Sequence, residues 1–393
     1  MSNRLPVRPN LQQLKHQAKD LLRVMRKSDA SAKLADAQLA LARSYDAPSW
    51  PRLVQACELT DAIWRDDIDA VKQLVLRNPK LIHESALVRK SNWGPPMSYA
   101  ANLGRDRIIR MLYELGATDL ESALDRATLQ SQIGTARMLH EWMGTPRPPA
   151  GSLDGPAYTL SVSGTALMLE LGSGAHDAPV HVVLETDSRN PSAKHQILEL
   201  YVKHGLELPD TPAMALHRGR IDLLEEHLRR DPGLLQRTFT HEEIYPPELG
   251  CHDEVLATHG TPLAGATLLH MCADYDELEI ARWLLDRGMR VDAKADVDAD
   301  GFGGHTALFA TVVSQPNFWI NHWQKPDDAP FTRLLLEHGA DPNARASLRK
   351  QLHPGYGEDT LHEYRDVTPL SWGERFHNKK FVSCAAMRLI AGQ

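Results

Sequence analysis

Cysteine is scarce. The 393 residues hold four, Cys57, Cys251, Cys272 and Cys384, all far apart. With no C-x-x-C pair there is no sign of a zinc knuckle or a dithiol redox motif, and the four read as reduced thiols. Long apolar runs are missing too: nothing approaches the ~18 consecutive residues of a membrane span. The first ten residues carry Arg4 and Arg8 but no apolar stretch follows them, so no secretory signal is expected. Together these absences predict a soluble, cytoplasmic protein without membrane contact. An excess of basic charge is also absent, since 44 Lys and Arg face 51 Asp and Glu for a net −7. That balance disfavours nucleic acid, whose phosphates are held by clustered Lys and Arg.

The charge is unevenly spread. Residues 1–58 hold ten basic and five acidic side chains, leaving 34 against 46 beyond them, so the N-terminal segment stands at +5 and the rest at −12. Histidine is over-used: 19 residues, ten of them after position 240. The hydrophobic share of 42% is that of an ordinary folded chain and excludes a disordered or collagenous one.

Internal repetition organises the rest. Four segments end a leucine-rich helical pattern on glycine: Leu112-Tyr113-Glu114-Leu115-Gly116, Leu200-Tyr201-Val202-Lys203-His204-Gly205, Trp283-Leu284-Leu285-Asp286-Arg287-Gly288 and Leu334-Leu335-Leu336-Glu337-His338-Gly339. Glycine suits the left-handed residue that closes a helix. Leu169-Glu170-Leu171-Gly172 is a weaker fifth case, 33 residues before Gly205. The other half of the unit is a turn opening a short helix, as in Gly265-Ala266-Thr267-Leu268-Leu269-His270 and Gly304-His305-Thr306-Ala307-Leu308, with looser forms at Thr211-Pro212, Thr368-Pro369 and Gly94-Pro95. Thr caps an orphan amide there, and Pro fits the first helical turn.

These two elements resemble the ankyrin consensus, a G-x-T-P-L-H-x-A-A opening with an L-L-x-x-G-A-D ending. Leu5-Pro6-Val7-Arg8-Pro9-Asn10-Leu11 through Lys19-Asp20-Leu21-Leu22, with Ser49-Trp50-Pro51-Arg52-Leu53, resembles the leader of a bacterial ankyrin-repeat family. The resemblance covers essentially the whole chain and implies a fold without implying an activity. It leads us to expect an all-α ankyrin solenoid with an N-terminal helical cap. The expected divisions are a cap over 1–58, repeats over 59–144, a Pro/Gly-rich interruption at 145–157, degenerate repeats over 158–237, and repeats with three long insertions over 238–393.

Several motifs fail on inspection. Residues 296–301 place Asp at alternate positions before Gly301, as a calcium loop does, but position twelve is Ala307 where a bidentate Glu is required. An acidic turn is the expected form. His241-Glu242-Glu243 lacks the second histidine of a zinc protease, Ser161 lacks the flanking glycine of a nucleophile elbow, and residues 301–304 precede a repeat helix where a phosphate cradle needs a βαβ crossover. Cys251 beside His252 reads as a plain loop thiol. His270 holds the T-P-L-H histidine position and is expected to bond the backbone of an adjacent turn.

The reading that follows is a non-catalytic protein-binding scaffold, leaning away from an enzyme, with no cofactor or metal. Its expected contacts are exposed residues of turns and insertions: Trp93, Phe302, His305, Trp319, Trp323, Arg345 and Tyr364, since aromatics and Arg dominate interfaces. Trp283 is expected in the core. The rival is an enzyme or small-molecule sensor in which insertions 238–262, 314–329 and 345–365 close a His/Trp/Arg-lined pocket, with His252, His305 and His322 converging.

Overall fold

The computed structural model describes residues 5–89, 91–186, 189–252, 260–313, 328–351 and 360–392. The chain divides into two compact units, Met1–Pro156 with Ser163–Ser173, and Ala157–Val162 with Gly174–Gln393.

The first unit opens with α1 (Leu11–Met25), whose first amides are capped by the Asn10 side chain, then α2 (Leu34–Ser44) and α3 (Trp50–Trp64). Leu14, Ala42, Ala47, Leu53 and Cys57 form their shared core. Helix α3 runs unbroken through residue 58, so the cap and the element after it share one helix. Next come α4 (Ile68–Arg77), α5 (Pro96–Ala101), α6 (Asp106–Glu114), α7 (Leu120–Leu129) and α8 (Ile133–Met143). The wholly buried α5 packs between α3 and α7, while α4 packs on α6. Helices α9 (Asp154–Tyr158) and α10 (Val162–Glu170) follow.

The second unit holds α11 (Val180–Leu184), α12 (Pro191–Lys203), α13 (Pro212–His217), α14 (Ile221–Arg230), α15 (His241–Ile244), α16 (Leu268–Tyr275), α17 (Leu278–Asp286), α18 (Ala307–Val312) and α19 (Pro330–Glu337). Strands β1 (Ala346–Lys350) and β2 (His362–Val367) precede α20 (Pro369–Arg375) and α21 (Cys384–Ile390). One row of helices runs α13, α16, α18, α20; a second runs α17, α19, α21 outside it. Small or flat side chains line the first row, and every residue of α16 and α18 is buried.

The chain is mostly helical, as expected, with one correction: residues 346–350 and 362–367 pair as a two-stranded antiparallel sheet. Ala346, Leu348 and Lys350 point inward from β1 with Ser347 and Arg349 between them. That alternation lets the hairpin cover a core of Phe309, Val312, Trp372 and Phe376.

The helix-ending glycines Gly116, Gly172, Gly205, Gly288 and Gly339 all have φ between 84° and 102°. At Gly288 a Cβ would meet open space, so the backbone alone requires glycine there. Gly288→Ala is expected to cost about 1 kcal/mol, read as a lower urea midpoint; an unchanged midpoint would show that the left-handed closure does not matter.

Candidate functional site

Three turn regions of the second unit meet around one cleft. Phe239 bridges Ala266 across the base of the first, Val297 bridges Gly303 across the second, and Gly303 bridges Ser347 of β1. The cleft they enclose measures ≈ 490 Å³ and includes Glu242, Asp296, Val297, Phe302, His305 and Arg349 in its lining.

The middle turn is built by its own carboxylates. Asp298 Oδ1 accepts the Asp300 and Phe302 amides at 2.9 Å each, and the Arg349 guanidinium ties both Asp298 and Asp300. The acidic run expected as a turn therefore spends its oxygens on closing it. Backbone and side-chain hydrogen bonds hold the Asp298 carboxyl below the usual carboxylate range. The Arg349 and Arg365 guanidinium groups both lie over Phe302, 4.5 and 4.1 Å from its ring centre. Val297 is left 61% exposed at the tip.

His270 and His305 stand below. His270 Nδ1 accepts from the Thr267 hydroxyl at 2.9 Å, and its Nε2 donates to the His305 carbonyl at 2.9 Å, the expected bond to an adjacent turn. Burial lowers the His270 ring to about 4. Burial, then the neighbouring His270, lowers His305 to about 3 against the Pro262 carbonyl and the Asp274 carboxylate. Among the described residues, neither His305 ring nitrogen reaches good hydrogen-bonding geometry with a partner.

Beside Asp274 lies a buried ionic cluster. Arg189 Nη2 donates to Asp274 Oδ2 at 3.2 Å, and Asp274 Oδ1 accepts the Gly260 amide at 2.9 Å. Lys194 Nζ donates to His217 Nδ1 at 2.7 Å, which leaves His217 Nε2–H to donate to the Ile244 carbonyl at 2.9 Å. The same Nζ sits 3.7 Å from the Tyr275 ring centre. His195 Nε2 donates to Glu277 Oε1 at 2.8 Å. Desolvation lowers the Lys194 ammonium to about 7, opposed by Glu277 and Asp274 and reinforced by Arg189. Its partners come from residues 189–195, 217, 244, 260 and 274–277, so no local motif announces it.

The residues named from sequence do not form one site. Phe302 and His305 line the cleft, but both are buried, as are Trp93 against Tyr99 and Tyr364 under His377, where exposure was expected. Aromatics on turns are covered when the next turn folds over them, which local sequence does not report. Arg345 is exposed and paired with Asp366 at 2.6 Å. Trp283, expected in the core, is half-buried beneath Arg287. His252 is mostly exposed; its backbone amide donates to Glu185 and its ring tilts against His181, whereas His305 packs on His270. Trp319, Trp323 and His322 lie outside the described residues. Of the three insertions, 238–262 and 345–365 contribute lining residues to the cleft. Val297, Asp296 and Arg349 line the cleft without having been singled out from sequence, although an apolar residue between two Asp at a turn tip is a usable signal.

Among the described residues no group of three His, Cys, Asp or Glu side chains is placed to hold a metal ion, and no helix is long and apolar enough to cross a membrane. An ankyrin-repeat family model matches residues 264–299. No curated protein matches the chain.

Proposed function

We propose that this chain is a protein-recognition module built as an ankyrin solenoid, and that a partner segment bearing a basic side chain docks in the cleft of the second unit. The observation that carries the reading is the position of the matched repeat, residues 264–299: Ala264, Gly265, Asp296, Val297 and Asp298 belong both to it and to the cleft lining. Repeats of this kind offer a surface that is rigid before binding, which limits the ordering cost of association.

Charge selects the partner. Glu242 and Asp296 face the cleft, while Arg349, the guanidinium among the described lining residues, is already committed to Asp298 and Asp300. A Lys or Arg side chain entering beside Val297 would meet uncompensated carboxylate and an exposed apolar contact. The −12 balance beyond residue 58 steers the same class of partner toward the module.

Val297→Lys tests this without touching the fold, because the side chain is mostly exposed. We expect proteins captured from the native host by the full chain to be lost at least about tenfold on substitution, with the thermal midpoint unchanged and capture weakened by salt. An identical set captured at identical strength would sink the reading.

A further inference from the structure

Ahead of α1, residues 5–10 form a strap, neither helix nor strand, that lies against α3 and α5. Pro6 and Pro9 stiffen it, and Pro9 is buried at a point where proline has no N–H to leave unsatisfied. Arg8 is the centre of the contact. Its Nε and Nη2 both donate to Asp61 Oδ1, at 3.0 and 2.7 Å, and its guanidinium lies over the Trp64 ring, 5.6 Å from the centre. One residue earlier, the Val7 carbonyl accepts the Tyr99 hydroxyl, which itself accepts the Trp64 indole N–H.

The three receiving side chains are positioned from behind. Asp61 and Trp64 stand one turn apart near the end of α3, and Tyr99 belongs to the wholly buried α5, where its ring packs on Trp93. Arg65 holds the other Asp61 oxygen at 2.9 Å, and Arg105 takes the Ile63 and Trp64 carbonyls, so both nearby guanidinium groups are already committed. A carboxylate oxygen, an aromatic face and a hydroxyl donor are left for the strap. That set fits a guanidinium and the backbone carbonyl ahead of it. The side chains of Arg8 and Asp61 are 47% and 41% exposed. An ion pair so open to water adds little to stability, so a structural clasp does not account for it well.

We propose that Asp61, Trp64 and Tyr99 form an arginine-recognition site and that the strap is its resident pseudo-ligand, giving way to an arginine-bearing segment of a partner protein. The ligand chemistry is read from the occupant: arginine, a free carbonyl just before it, and proline just after it. Tethering gives Arg8 an effective concentration of the order of 1 mM, so the strap sets a threshold that a competing segment must exceed. The site lies in the first unit and is independent of the cleft proposed for partner recognition.

A labelled peptide of residues 5–10, Leu5-Pro6-Val7-Arg8-Pro9-Asn10, titrated with the full chain and followed by fluorescence anisotropy, tests it. Arg8→Glu in the chain sets a carboxylate against Asp61 and should lift the strap, giving saturable peptide binding with a Kd of about 1 mM or tighter. The native chain, its site filled in cis, should bind the peptide at least about tenfold more weakly. Adding Asp61→Asn to Arg8→Glu should abolish binding. A peptide with lysine in place of arginine should bind at least about tenfold more weakly, because it lacks the fork and the flat contact with Trp64. If Arg8→Glu fails to fold, Arg8→Ala takes its place, since the side chain it removes is half exposed. No binding to the opened variant, equal binding to variant and native chain, or binding indifferent to Asp61→Asn or to the lysine peptide would make the strap a structural clasp and overturn the proposal.

Discussion

Asp274→Ala is expected to destabilise the second unit by about 3–5 kcal/mol, the range for breaking a buried ion pair by removing one partner. Asp274 is almost fully buried and each oxygen has a separate task, Oδ2 for Arg189 and Oδ1 for the Gly260 amide. Alanine would leave the Arg189 charge buried against Tyr275 and the Gly260 amide without its acceptor. Nor can the neighbourhood close easily around the gap, since a Cβ at Gly260 would already collide with the Val313 carbonyl. Asp274→Asn separates the two tasks: its carbonyl oxygen keeps an acceptor for the Gly260 amide while the charge and the acceptor facing Arg189 are lost, so its loss should be smaller. Urea unfolding followed by fluorescence reads both. A loss under about 1 kcal/mol for the alanine variant would mean that water reaches Arg189 and that the cluster is not a sealed ionic core.

The same cluster marks where sequence reading stops. The helical periodicity, the glycine closures and the Thr267-to-His270 hydrogen bond are local: each is decided within four residues, by backbone conformation or by a side chain folding onto its own turn. Lys194 of α12 meets His217 of α13 from 23 residues away, and Arg189, just before α12, meets Asp274 of α16 from 85. Nothing near either residue distinguishes a buried cation from a solvated one. The hairpin was hidden for a related reason. Ala346-Ser347-Leu348-Arg349-Lys350 has little β propensity, and its strand form is set by pairing with residues 362–367 and by the core of α18 and α20 beneath it. Once that hairpin is in place, Phe302 and Tyr364 are covered. Two aromatics chosen as contacts thus become supports, and the exposed role at the middle turn passes to Val297.

Support and recognition are therefore layered in the second unit. Arg349 holds the turn by Asp298 and Asp300 while lying over Phe302, whose ring also meets the Arg365 guanidinium. A cleft built this way presents carboxylates that are already fixed in position, so a basic partner group is met by a preorganised field and not by mobile side chains.

Acidification should unfold the second unit well before its carboxylates are neutralised, and His305 is the reason the effect is large. Both buried rings are held neutral, His270 down to about 4 and His305 to about 3, against an ordinary 6.5. Below pH 6.5 the unfolded chain takes up these protons while the folded chain refuses them. Folded stability therefore falls as pH drops from 6.5 toward 3–4, and the stabilisation is complete only above 6.5. For His270 alone the span from 6.5 to about 4 corresponds to about 3 kcal/mol. Lys194 acts in a separate window with the same slope: its folded value near 7 lies below the ordinary 10.5, so the unfolded chain binds the extra proton between those limits and stability rises with pH across them. The two windows together place the stability maximum on the alkaline side of neutrality. His305→Leu separates the contributions. It removes a ring whose nitrogens have no well-formed hydrogen bond among the described residues, keeps the backbone carbonyl that His270 donates to, and also relieves the charge repulsion that His305 shares with His270. Urea midpoints measured from pH 7 down to 4 should fall less steeply in this variant than in the native chain. Parallel curves would show that His305 is already reached by water, and the acid limb would then belong to His270 and the carboxylates alone.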